Sequence, residues 1–95
     1  MNRVVITGMG TVNPLGNKVE EFWDNIKANK LGFSFIDQFD ASNFDVKIVG
    51  SVKDFDISEY VEKKEAKRMD RFTQFAVYST MEALKDAGSD LKDLD

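Results

Sequence analysis

The apolar positions of this chain change period several times, and each period predicts a different element. Val4-Val5-Ile6 is an unbroken run that suits a strand covered on both faces, as in a parallel sheet flanked by helices. Gly8, Gly10, Pro14 and Gly16 punctuate the exit from it. Val19, Phe22, Trp23 and Ile26 then recur at spacings of three, four and seven, one face of a helix. Asn17 stands at the N-cap of that helix, Glu20 in the capping-box position, and Lys27 and Lys30 near the end, where cations suit the helix dipole. Gly32 is its expected stop, and Phe22 and Trp23 are read as core packing.

Between Gly32 and Asp45 the aromatics Phe33, Phe35, Phe39 and Phe44 are mixed with Asp, Ser and Asn without a sustained period, which predicts an irregular connection anchored by its rings. Val46, Ile48, Gly50 and Val52 alternate with Lys47, Val49 and Ser51, which predicts a strand with one dry face. Ser58 is placed to cap a short helical turn. From about Lys63 to Ala87, one long helix ended by Gly88 is expected, with Met69, Phe72, Thr73, Ala76, Val77, Thr80, Ala83, Leu84 and Ala87 on its buried arc.

The expected class is therefore α/β, yet 95 residues with only two good strands do not make a doubly covered parallel sheet. The chain reads as a piece of a larger fold, with residues 1–95 forming no complete domain. Cysteine and histidine are both absent, which removes disulfides, thiolate or imidazole metal sites, and every nucleophile or base built on those side chains. No stretch has the apolar length of a membrane span, and the first strand starts too close to Met1 for a leader, so a cytoplasmic location is expected. A net charge of -4 opposes nucleic-acid binding, which requires a basic surplus.

Charge is nonetheless uneven. Between Glu62 and Arg71 there are five basic and three acidic residues, whereas the rest of the chain holds eight basic and fourteen acidic ones. On a continuous helix Lys64, Lys67, Arg68 and Arg71 share one side, opposite the apolar arc. In the first turns of that helix the dipole disfavours cations, which points to a task beyond solubility, although a solvated face partly neutralised by Glu62, Glu65 and Asp70 carries the same pattern. Gly8 and Gly10 also begin a dinucleotide-binding G-x-G-x-x-G, but Asn13 and Pro14 occupy the place of the third glycine and the helix start. The glycines are read instead as permitting a tight exit from the strand, with no cofactor-binding or metal residues assigned.

Val4-Val5-Ile6-Thr7-Gly8-Met9-Gly10, then Asn13-Pro14-Leu15-Gly16-Asn17, the Phe22-Trp23 helix, and the run from Lys64 to Ala76 (Lys-Glu-Ala-Lys-Arg-Met-Asp-Arg-Phe-Thr-Gln-Phe-Ala) closely resemble the amino-terminal part of 3-oxoacyl-acyl carrier protein synthases, best the type II elongating enzyme of bacterial fatty acid synthesis. The resemblance implies the thiolase fold, layered αβαβα, of which this chain holds only the opening part, and a homodimeric working enzyme. It implies an acyltransferase in which a cysteine takes the acyl group from the carrier protein, malonyl-carrier protein is decarboxylated, and the carbanion attacks the thioester with two histidines assisting. No catalytic residue maps onto this chain, because it has neither residue type.

Docking is what the resemblance does carry over. Basic residues at the positions of Lys64, Lys67 and Arg68 are expected to face the acidic acyl carrier protein, whose phosphopantetheine arm bears the substrates, so that no other cofactor is implied; Arg71 shares the face with weaker support. A non-catalytic chain-length factor, a polyketide ketosynthase, and a small module binding an acidic protein remain as alternatives.

Overall fold

In the computed structural model, which describes residues 2–89, the order is α1 (Val19–Lys27), β1 (Phe33–Phe35), β2 (Ile48–Gly50), α2 (Lys63–Lys67) and α3 (Arg71–Ala87). β1 and β2 form an antiparallel pair in the register Phe33 to Gly50, Ser34 to Val49 and Phe35 to Ile48. One further bond, from the Ile36 N–H to the Lys47 carbonyl at 2.8 Å, extends the ladder. The irregular connection expected after Gly32 thus begins as a strand, because Phe33, Ser34 and Phe35 find a partner 13 to 17 positions away that local periodicity does not reveal. The later strand is also shorter than Val46–Val52, and the face expected to be dry is turned outward: Phe35 (75% exposed) and Ile48 stand opposite each other in the open.

Val4-Val5-Ile6 does not enter a sheet among the described residues. Val4 is 93% and Ile6 83% exposed, and the sheet among the described residues has only the strands β1 and β2. The segment that follows lies against α3. A Cβ at Gly8 would run into the Ala83 carbonyl and Ala87, and one at Gly10 into the Ser79 carbonyl. Ser79, Ala83 and Ala87 recur every four residues, so the small side chains of α3 form a seam along which the glycine backbone runs. Neither Gly8 nor Gly10 has a positive φ. Their lack of a side chain serves close approach rather than the strand exit expected from sequence. The Met9 N–H donates to Asp86 Oδ2 at 3.0 Å and holds the crossing.

The helix ends differ from expectation in instructive ways. Lys18, not Asn17, is the N-cap of α1, and no side chain caps it. The Asn17 amide donates instead to the Lys53 carbonyl at 2.8 Å, tying the helix start to the segment that follows β2. α1 ends at Lys27, five residues before Gly32, and Asn29 takes φ 59° just beyond it. The Asn29 and Lys30 N–H groups return to the Ile26 and Asn25 carbonyls, a Schellman closure. Gly88, at φ 71°, closes α3 in the same way, as expected. In the turn after Phe55 the capping role belongs to Asp56, whose carboxylate accepts the Ser58 N–H at 2.9 Å.

Burial is sparse. Ala41, Ile57 and Tyr78 are the buried hydrophobic residues among those described, while Trp23 is 55% and Phe72 is 72% exposed. The apolar arc expected on the last helix is therefore only partly covered, and Trp23 packs less deeply than expected of a core residue. The accessible surface is 7988 Å², against about 5,500 Å² for a compact monomer of this mass. The radius of gyration is 16.7 Å, against about 12 Å for a compact domain of this length. The excess, about 2,400 Å², matches the surface that a large obligate interface removes from water.

The chain purified by itself is therefore expected to bind a hydrophobic fluorescent dye and to lose structure gradually on heating. A monomer with a sharp cooperative calorimetric transition and no dye binding contradicts this.

Candidate functional site

The basic segment is not one helix. After Lys67 the chain turns through Arg68 at ψ -7° to Asp70 at ψ 155°, an extended residue that starts α3 as its N-cap. The Arg68 and Met69 N–H groups fold back on the Glu65 and Ala66 carbonyls at 3.0 and 3.1 Å, tightening the last turn of α2. The expectation of a continuous helix from Lys63 to Ala87 fails here. Asp favours the non-helical N-cap over a helix interior, so Asp70 is a start signal inside a run of good helix formers.

The break changes the electrostatic argument. Lys67 is the last residue of α2 and Arg68 its C-cap, so the dipole favours them, while Lys64 stands second in the five-residue helix. For Lys67 and Arg68 the placement against local preference expected from sequence disappears. Lys64, Lys67 and Arg68 are exposed; among the described residues their one ion pair is Arg68 to Glu65 at 3.8 Å, on the surface and of little energetic weight.

Arg71 parts company with them. It is the first residue of α3, and its guanidinium carbon lies 4.9 Å from the Phe55 ring centre and 5.0 Å from that of Phe75. Those two rings meet edge to face at 4.9 Å. A cation at a helix N-terminus is disfavoured by the dipole, and two ring faces offset that penalty. The four cations expected on one face are all exposed, but Arg71 alone lies against aromatic rings.

These rings belong to a scaffold that sequence reasoning missed. Tyr78, 5% exposed, meets Phe55 at 5.1 Å and Tyr60 at 5.7 Å, both inclined towards edge-to-face. Below these rings the Glu82 carboxylate accepts hydrogen bonds from Lys18 Nζ at 2.6 Å and from the Tyr60 hydroxyl. Glu59 bridges Lys85 at 3.0 Å beside it. Burial pushes the Glu82 carboxyl upward, but the Lys18 and Tyr60 hydrogen bonds outweigh it and hold Glu82 below the usual range. The same bond pushes the Tyr60 hydroxyl up to about 12 and raises Lys18. Glu82 thereby joins the start of α1, the turn before α2, and α3. In sequence Glu82 is one of four acids in the expected helix, and nothing in its local pattern sets it apart.

Comparison with known proteins bears on this arrangement. A family model described as "Beta-ketoacyl synthase, N-terminal domain" matches residues 1–95. The chain is 45% identical over 91 residues to 3-oxoacyl-(acyl-carrier-protein) synthase 2 of Staphylococcus aureus strain N315, covering 96% of this chain and 22% of that protein. The Vibrio harveyi protein of the same name is 44% identical over 89 residues, covering 94% of this chain and 21% of the relative. That of Synechocystis is 44% identical over 85 residues, covering 90% and 20%. The chain thus spans about a fifth of the length of the curated relatives it matches. Its backbone is similar to a solved structure titled "The ishigamide ketosynthase/chain length factor", with a TM-score of 0.78 and 31% identity over 88% of this chain and 21% of that one. The fold is accordingly the opening portion of the thiolase-like layered α/β arrangement, as expected from sequence. No described helix is long and apolar enough to cross a membrane.

The Glu82 junction gives a pH-dependent expectation in the full-length folded protein. A depressed carboxyl contributes stability above its ordinary range and loses it as pH falls through the depressed value; the raised Tyr60 and Lys18 groups contribute below their ordinary values and lose it at alkaline pH. Glu82→Gln should lower the melting temperature at neutral pH, by about 2–4 °C for a loss near 1 kcal/mol in a large domain. That difference should shrink as the pH falls well below the usual carboxylate range. An equal difference at acid and neutral pH contradicts the assignment.

Proposed function

Because the chain belongs to the beta-ketoacyl synthase family, we propose that it is the amino-terminal segment of a type II 3-oxoacyl-acyl carrier protein synthase of fatty acid synthesis, and that its α2 ledge is part of the surface that receives the acyl carrier protein. The complete enzyme would be a cytoplasmic homodimeric acyltransferase that condenses malonyl-carrier protein with an acyl thioester and releases carbon dioxide. The nucleophilic cysteine and the histidines of that reaction would come from outside these 95 residues, which contain neither type. The substrates would arrive on the partner's phosphopantetheine, so no resident cofactor is needed.

What supports docking is one observation: Lys64, Lys67 and Arg68 are exposed together at the end of a short helix, with Glu65 as their single ion-pair partner among the described residues, on an otherwise acidic chain. Three cations of this kind steer an acidic helical protein from solution, an effect seen chiefly in association rate and weakened by salt. Arg71 is left out of the contact set, because Phe55 and Phe75 already engage its guanidinium.

The solved neighbour's title is compatible with a second reading, in which the full-length protein is a chain-length factor that pairs with a catalytic ketosynthase. Both readings use the same ledge; they differ in whether a cysteine occupies the nucleophile position of the complete sequence.

In the full-length synthase, Lys67→Glu with Arg68→Glu should raise KM for the acyl-carrier protein substrate by about tenfold or more at low salt. Turnover of a small-molecule thioester should be nearly unchanged. Equal losses on both substrates would show that these residues act through folding. Arg71→Gln should differ in kind, lowering stability by about 0.5–2 kcal/mol with a smaller effect on KM.

A further inference from the structure

We infer that Gln74 is a positioning residue for docking: its side-chain amide clips α2 to the first turn of α3 and sets the direction in which Lys64, Lys67 and Arg68 face. The inference rests on the docking reading above. α2 has five residues, and a helix of that length is not stable alone in water. Its orientation must come from what holds it, and the link to α3 is the extended Asp70.

Breaking the helix at Arg68–Asp70 leaves carbonyls at the end of α2 without their usual helical donors. Gln74 Nε2 reaches the Met69 carbonyl at 3.3 Å and adds a second donor, at 2.9 Å, to the Ala66 carbonyl that already accepts the Met69 N–H. Its own backbone N–H donates to the Asp70 carbonyl at 3.0 Å, the first regular bond of α3. The amide is therefore half-buried, based on a rigid turn, and aimed back across the joint. Among the described residues no other side-chain hydrogen bond joins α2 to α3.

The chemistry of the clip is specific. A primary amide has two N–H donors for two carbonyls. Glutamate, nearly the same shape, offers an ionised carboxylate with acceptors only, and places negative charge against both carbonyls. Leucine keeps the bulk and loses both donors. Either change frees a short helix that carries the three exposed cations, so the ledge samples many directions and the carrier protein must order it on binding, which weakens affinity without touching chemistry.

The test compares Gln74→Leu and Gln74→Glu in the full-length synthase, each alone and in a background carrying Lys64→Gln, Lys67→Gln and Arg68→Gln. With the three cations present, either change should raise KM for acyl-carrier protein about three- to tenfold, the scale of one or two lost hydrogen bonds. Turnover number, and kcat/KM for a small-molecule thioester, should stay at the parental value. In the neutralised background Gln74→Leu should add nothing, since there is no ledge left to aim. An unchanged KM, a parallel loss on the small thioester, or the same rise in the neutralised background overturns the role of Gln74. Should Gln74→Leu not fold, the near-isosteric Gln74→Glu decides by the same criteria. If neutralising the cations alone leaves KM unchanged, it is the docking reading that fails, and a KM rise from Gln74→Leu in that case marks Gln74 as a purely structural residue.

Discussion

Tyr78 sits where three elements meet, and the position of the basic ledge follows from it. Phe55 and Tyr60 pack against its ring from the segment before α2, and Phe75 reaches the same cluster through Phe55 from one turn earlier in α3. Edge-to-face pairs add about 0.5–1.5 kcal/mol each beyond the area they bury. In a segment with so little enclosed surface, they join the Tyr60–Glu82 and Glu59–Lys85 contacts in tying residues 55–61 to α3. The Glu82 carboxylate adds a polar anchor beneath, and the root of α2 is fixed from two sides. The cluster also engages Arg71, which sets that cation apart from Lys64, Lys67 and Arg68.

The same economy explains what the segment leaves uncovered. Its glycine backbone lies close on the small-residue seam of α3, so that residues 8–10 gain contact without bulk. Val4 to Ile6, the outer face of the β1–β2 pair and Phe72 gain none, and remain in the open. For a family whose fold alternates helix and sheet layers, such faces are the surfaces on which further layers rest. A strand without a ladder and a helix with an exposed apolar arc express one constraint: the layers that cover them are not among the residues described.

Much of this was legible in the letters, and the misses share a cause. Elements governed by local periodicity were found: α1 from Val19, Phe22, Trp23 and Ile26, and the end of α3 from Gly88. The family was legible because two motifs stand in order at the right separation. What periodicity could not show were pairings fixed by distant partners, such as Phe33–Phe35 with Ile48–Gly50, and Glu82 with Lys18 and Tyr60. Asp70 is by residue type a helix-start signal, but good helix formers flank it on both sides, and from sequence it reads only as a neutralising acid. Placing the break there moves Lys67 and Arg68 from an unfavourable helix start to a favourable helix end, and puts Arg71 on a different helix.

The central claim is that Lys64, Lys67 and Arg68 steer an acidic carrier protein to the full-length synthase. Its most direct test is the association rate of the carrier protein as a function of ionic strength, for the parent and for a variant with all three residues changed to glutamine. The account predicts a rate that falls steeply with salt in the parent and a markedly shallower dependence in the variant, the two curves converging at high salt. Parallel curves of equal slope would contradict it.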